Sequence, residues 1–198
     1  DDGSCVYPST STTTITACDS VVWNGVTYDS SGTYSYNDGA SNNYSLNILE
    51  NEWISIPSWT PTPSYTLSAW VEFPLPIVTA NPWNTLFSRQ AGTYHHLMFG
   101  AGGELGVYSN TLYGCGFYAS SVSPGFHQVT AIAQNNETKF YIDSNYVGVS
   151  NIKITEPLDI IGNWDGLGNQ PMGTIDDAQI WNTALSQAEI QQYMNCPP

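Results

Sequence analysis

Gly173-Thr174-Ile175-Asp176-Asp177-Ala178-Gln179-Ile180-Trp181-Asn182-Thr183-Ala184-Leu185-Ser186 carries two structural instructions in a row. Thr174 to Trp181 is rich in β-branched and aromatic residues and is bounded by Gly173 and Asn182-Thr183, which predicts a strand. Ser186 then offers an oxygen to cap a helix, and Glu189 three residues on completes a capping box. Ile190, Tyr193 and Met194 recur at helical spacing as the buried stripe of that helix, which Pro197-Pro198 ends.

Upstream of this stretch helical periodicity is nearly absent. Tyr65 to Phe73 is the clearest strand, with Leu67, Ala69, Val71 and Phe73 on one face and Ser68, Trp70 and Glu72 on the other. Further strands are predicted at Ser45 to Leu49, Trp53 to Ile56, Thr85 to Arg89, His95 to Gly100 and Glu104 to Tyr108. Others follow at Phe126 to Ala133, Lys139 to Ile142, Tyr146 to Val149 and Leu158 to Ile161. Residues 1–43 differ. Ser9 to Thr16 is a Ser/Thr tract, Trp23 to Tyr28 reads as a hairpin turning at Asn24-Gly25, and Ser31 to Tyr34 reads as another short strand. The expected organisation is an N-terminal extension over 1–43 and an all-β, two-sheet antiparallel sandwich over 44–198, closed by one short helix.

The composition sets limits on function. The chain has 198 residues, 41% hydrophobic and 13% aromatic, enough for one sandwich core. Charged residues are only 10%, so Ser, Thr, Asn, Gln and Tyr must wet the surface, a look commoner outside cells. Arg89, Lys139 and Lys153 face 17 carboxylates, for a formal net charge of −14. Nucleic-acid binding needs cations to displace phosphate counterions and is excluded. Anionic membranes are disfavoured for the same reason, and no apolar run is long enough for membrane insertion. The acidity suits divalent cations or serves solubility alone. Cys5, Cys18, Cys115 and Cys196 form no CxxC pair, so disulfides outside the cell are expected in one of three connectivities, with Cys115–Cys196 and Cys5–Cys18 favoured. Asn43 and Asn136 begin glycosylation sequons. The opening Asp1-Asp2-Gly3-Ser4-Cys5 reads as a cut inside a longer polypeptide, whose neighbouring domains would be partners.

Four stretches together resemble the laminin-G-like jelly-roll family of the concanavalin A-like superfamily. Ser45 to Pro57 is similar to its opening strand pair, and Tyr65 to Val71 to its Trp-bearing strand. Gly125-Phe126-His127-Gln128-Val129 with Lys139-Phe140-Tyr141-Ile142-Asp143 is similar to its WHHV and LYVDG hairpin. Gly173 to Ser186 is similar to its GxIDEVRIYNRALS close. Glu50-Asn51-Glu52 stands where the family carries a DGxxDY-type turn, Asp143-Ser144 where it has Asp-Gly, and Gln179 where it has Arg. The extension resembles repeats in long secreted proteins of marine Bacteroidetes. The resemblance implies a jelly roll, an extracellular or cell-surface location, and a carbohydrate-binding or adhesion role. A structural spacer is the alternative, and a glycan-cleaving enzyme is a weaker one.

Catalysis finds little support in the residues. A retaining glycosidase needs two carboxylates about 5 Å apart, and no ExDxxE pattern occurs. Asp176 and Asp177 alternate across a strand, while Glu50 and Glu52 lie at a turn. No catalytic residue is therefore expected. His127 reads as orienting a buried strand, His95 and His96 cannot both face one site, and Cys115 lacks a nearby base. Two candidate sites remain. Asp176, by its place in the closing motif, implies a structural calcium completed by backbone carbonyls. A rim of flat aromatic and amide groups, Trp164, Asn163, Asp165, Asn169, Trp83, Tyr94, His96 and Tyr108, would suit a sugar or a glycosylated surface, with Trp164 foremost.

Overall fold

The computed structural model describes residues 21–23, 26–28, 45–77, 82–90, 92–164 and 169–194. The chain divides into two units, residues 1–42 and 43–198. In the first, β1 (Val21–Trp23) pairs antiparallel with β2 (Val26–Tyr28), Trp23 opposite Val26. Asn24-Gly25, the Ser/Thr tract, the strand expected at Ser31 to Tyr34, and the Asn43 sequon lie outside the described residues.

The second unit is a two-sheet antiparallel sandwich with one C-terminal helix, the jelly-roll architecture expected from the sequence. Its strands are β3 (Leu46–Ile48), β4 (Ile54–Trp59), β5 (Tyr65–Phe73), β6 (Asn84–Ser88), β7 (Tyr94–Phe99) and β8 (Glu104–Ser109). They continue as β9 (Leu112–Tyr118), β10 (Gly125–Gln134), β11 (Glu137–Ile142), β12 (Asn145–Ser150), β13 (Leu158–Ile161) and β14 (Gly173–Trp181). One sheet runs β12-β11-β10-β5-β14-β3, the other β4-β13-β6-β7-β8-β9. Leu67, Ala69, Val71 and Phe73 of β5 meet Val129, Ala131, Phe140 and Ile175 from their own sheet and Phe87, Leu97, Phe99 and Leu158 from the other. Burying each large apolar side chain contributes roughly 1.5–3 kcal/mol.

Strand β9 is absent from the sequence-based prediction, because Gly114 and Gly116 interrupt its apolar run. The glycines of this corner answer to close approach instead. A Cβ on Gly106 would lie 2.5 Å from the Tyr113 carbonyl oxygen across β8 and β9, and one on Gly148 would lie 2.5 Å from the Cys115 carbonyl oxygen.

Ser68 and Trp70, expected on an outer face, are buried as well. Helix α1 (Gln187–Met194) covers that face: Ile190 and Leu185 pack with Ile132, and Trp181 lies 5.2 Å from Tyr193 between ring centroids. Ser68 and Thr130, underneath, satisfy each other with a 2.8 Å hydroxyl hydrogen bond. The capping box forms, with the Ser186 amide donating to Glu189 at 2.7 Å and the Glu189 amide to Ser186 Oγ at 3.3 Å. The Ser186 amide and hydroxyl hold the Glu189 carboxyl below its usual pKa.

Candidate functional site

The outer face of the second sheet carries a cleft of about 220 Å³ lined by Trp83, Thr93, His95, Tyr108, Trp164 and Gln170. Strands β7 and β8 bring His95 and Tyr108 side by side, paired across the ladder. Trp83 enters from the segment before β6, Trp164 from the segment after β13, and Gln170 from the approach to β14. Gln170 is held in place by its carbonyl, which accepts the Thr85 amide at 3.0 Å.

The rings form a continuous edge-to-face chain. Trp83 and Tyr108 stand 5.6 Å apart at 90°, Tyr108 and His95 5.4 Å at 84°, and His95 and Trp164 5.4 Å at 69°. Such pairs contribute about 0.5–1.5 kcal/mol each beyond burial. Beneath them, Thr85 Oγ1 lies 2.6 Å from Gln170 Oε1 and 3.1 Å from His95 Nδ1. Burial lowers the His95 pKa to about 4, so its ring is neutral at pH 7. The Trp164 indole N–H is buried and has no hydrogen-bond partner. Orphaned buried donors are costly and call for an acceptor.

Of the rim residues expected from the sequence, the fold brings Trp83, Tyr108 and Trp164 together. Tyr94 and His96 lie on the other face of β7, against the core: Tyr94 packs on the main cluster and His96 Nδ1 is 3.2 Å from the Tyr65 hydroxyl. A β-bulge between His95 and Met98 reverses the alternation of β7 and turns His95 toward the cleft. His95, Thr93 and Gln170 are the lining residues that sequence reasoning missed. Asn163 is fully buried, with its amide turned inward as a clamp. Its Nδ2 donates to the Glu52 carbonyl at 2.9 Å, and its Oδ1 accepts the Trp164 and Gln170 amides at 2.7 and 2.6 Å. Asn169 accepts the Asn51 amide at 3.2 Å and ties the same loop to the β3–β4 turn. Asp165 lies outside the described residues.

Asp176 is buried on β14 opposite Trp70, and its Oδ1 accepts the Asp177 amide at 2.7 Å. Burial raises its pKa, the Asp177 amide opposes that rise, and the Asp177 charge adds to it. Among the described residues no three His, Cys, Asp or Glu side chains group as a metal site. Calcium takes about six to eight oxygens, so Asp176 fits the ion as one ligand and backbone carbonyls would have to supply most of the rest.

Cys115 carries a free thiol, and its expected partner Cys196 lies outside the described residues. Cys115 packs half-buried against the core as a small apolar side chain, and burial raises its pKa. Cys5 and Cys18 also lie outside the described residues. His127 links Ser123 and Asp143: Nε2 is 3.0 Å from Ser123 Oγ and Nδ1 is 2.6 Å from Asp143 Oδ2. The connectivity is that of a nucleophile, base and orienter. Its structural effect is a strap, since Asp143 also accepts the Gln128 amide at 2.9 Å and holds the β11–β12 turn against β10.

A family model described as the concanavalin A-like lectin/glucanases superfamily matches residues 49–191. Domain 4 of AbnA, a GH43 extracellular arabinanase from Geobacillus stearothermophilus solved with arabinotriose, is 18% identical with a TM-score of 0.57, over 85% of this chain and 84% of that one. A protein from Bacteroides ovatus described as carbohydrate binding is 17% identical with a TM-score of 0.55, over 75% of this chain and 46% of that one. Trypanosoma rangeli sialidase is 14% identical with a TM-score of 0.50, over 76% of this chain and 27% of that one. This chain thus spans under half of the last two. At these identities the likeness is one of fold. No curated protein matches the sequence.

Proposed function

The chain belongs to the concanavalin A-like lectin/glucanases superfamily, and from that premise we propose that it is a non-catalytic carbohydrate-binding module of a larger extracellular protein. The observation that carries the reading is the convergence of Trp83, Tyr108 and Trp164 on one cleft with an unpartnered indole N–H. Flat aromatic faces take the C–H face of a sugar ring, and a buried donor takes a hydroxyl oxygen. The cleft's about 220 Å³ lies below the 300–1,000 Å³ typical of drug-sized ligand pockets, a size suited to one sugar residue. Two carbohydrate-associated domains with TM-scores of 0.57 and 0.55 share the fold and support the same reading. Among the described residues no helix is long and apolar enough to cross a membrane.

Glycan-array screening followed by calorimetry on the best hit tests this. Trp164→Ala is expected to weaken binding at least about tenfold, as loss of a central aromatic anchor does at other interfaces. Trp164→Phe keeps a ring, removes the N–H, and should weaken binding while leaving the melting temperature within a few degrees. An array with no hit, or variants that bind like wild type, would remove the cleft from the account. Ester hydrolysis abolished by Ser123→Ala would overturn the non-catalytic reading and favour the Ser123–His127–Asp143 chain as an active site.

The proposal includes a structural calcium at Asp176, supported by a desolvated carboxylate in an acidic chain. Calcium is expected to raise the melting temperature by several degrees more than magnesium at equal ionic strength, since ~2.7 kcal/mol accrues at 100 Kd. Asp176→Asn should abolish that difference. With chelator at pH 7 the same substitution should be neutral or stabilising: a raised folded-state pKa means the group's contribution is best at low pH and is lost as pH rises through that pKa. Equal calcium and magnesium shifts would reject the ion.

A further inference from the structure

The hydrogen-bond relay beneath the cleft fixes what kind of sugar fits it. Gln170 Oε1 is an amide oxygen and only accepts, so the Thr85 hydroxyl, 2.6 Å away, donates to it. A hydroxyl has one hydrogen. Thr85 Oγ1 therefore meets His95 Nδ1, 3.1 Å away, as an acceptor, and Nδ1 carries the ring proton. His95 Nε2 is left with a lone pair. Trp164, which lines the cleft, thus carries a buried donor without an acceptor, its indole N–H, and His95 beside it carries an imidazole nitrogen with a lone pair to accept.

The two rings stand 5.4 Å apart between centroids, and a sugar hydroxyl that settles between them and reaches the buried indole nitrogen would accept from the indole and donate to the imidazole. A carboxylate or sulfate can only accept, so it would set an anionic oxygen against the Nε2 lone pair. None of the six lining side chains is charged at neutral pH, and the chain as a whole carries −14. An anion buried there would have no cation to offset its desolvation. We infer that this cleft selects neutral sugars over carboxylated and sulfated ones, with His95 as the acceptor that discriminates and Thr85 as the residue positioning it. The inference rests on the carbohydrate-binding reading of the same cleft.

Two measurements on the full chain test it. Binding of arabinotriose and galactotriose is compared with trigalacturonate and a sulfated galactotriose at matched ionic strength, and 15N NMR reads the His95 tautomer. The expected result is at least about a tenfold preference for the neutral members, with the proton on Nδ1. Thr85→Val, which keeps shape and removes the relay, should narrow that preference several-fold and shift the His95 ring nitrogen signals. Thr85→Ser restores the hydroxyl and should restore both. Equal binding of neutral and acidic sugars, or a proton on Nε2, overturns the inference and leaves the carbohydrate reading standing. No binding of any sugar overturns both.

Discussion

Lowering the pH from 7 to 4.5 is expected to cost the fold on the order of 5 kcal/mol through His95 and His96 alone. Burial lowers the His95 pKa to about 4. It lowers that of His96 to about 3, with the Pro157 and Glu156 carbonyls opposing and the His95 charge assisting. The unfolded chain titrates both near 6.5. Each folded-state pKa therefore lies below the unfolded one. Their contribution is complete above about pH 6.5 and is lost as pH falls toward 4 and then 3. A loss of this size lowers the melting temperature by roughly 10–20 °C in a domain of this length. Acid also relieves repulsion in a chain of charge −14, so the result is read as a difference between proteins. Urea unfolding at half-unit pH steps should show the slope of stability between pH 6 and 5 falling by about 1.4 kcal/mol per unit in His96→Gln, and by a similar amount in His95→Gln. Unchanged slopes would show that neither ring is buried neutral. Binding at the cleft should fail in the same acid range, since protonated His95 has no acceptor left.

The second large effect is expected at Asn163. Its side chain is fully buried and joins three segments through Glu52, Trp164 and Gln170. Asn163→Asp keeps the shape but sets a carboxylate against the Glu52 carbonyl, and against that of Leu49 at 3.4 Å, where an amide donated. A buried charge with its partners reversed costs roughly 3–5 kcal/mol. The carboxylate still accepts the Trp164 and Gln170 amides, but the tie from this segment to the β3–β4 turn becomes a repulsion, so the cleft should loosen with the loss of stability. The check is thermal unfolding with tryptophan fluorescence, beside sugar binding. Below about pH 5 the introduced carboxyl protonates, and the deficit relative to wild type at the same pH should narrow. A variant as stable as wild type that still binds would show that Asn163 anchors nothing.

His95, His96 and Asn163 also separate what was legible in the sequence from what was not. The strand at Tyr65–Phe73, the closing strand with its capped helix, and the polar turns are local features, set by period, capping and turn chemistry. They were readable in order, and with them the sandwich. So were Trp83, Tyr108 and Trp164 as aromatics beside predicted loops. Strand β9 was hidden because its glycines weaken the pattern, and their reason is a neighbouring backbone distant in sequence.

The choice between His95 and His96 was decided only by the tertiary structure. Regular alternation back from Leu97 and Phe99, which face the core, puts His95 inward and His96 outward. One bulge in β7 inverts this, burying His96 against Tyr65 and lining the cleft with His95. A bulge answers to the register of two partner strands, and that register is not written in β7 itself. The same holds for Asn163, which reads as a rim amide by composition and becomes a clamp because Glu52 and Gln170 reach it from elsewhere in the chain. Sequence alone determined which residue types surround the cleft, since composition is local. Which of them face it, and which proton each carries, was decided by packing, because hydrogen-bond partners far apart in the chain meet only in the fold.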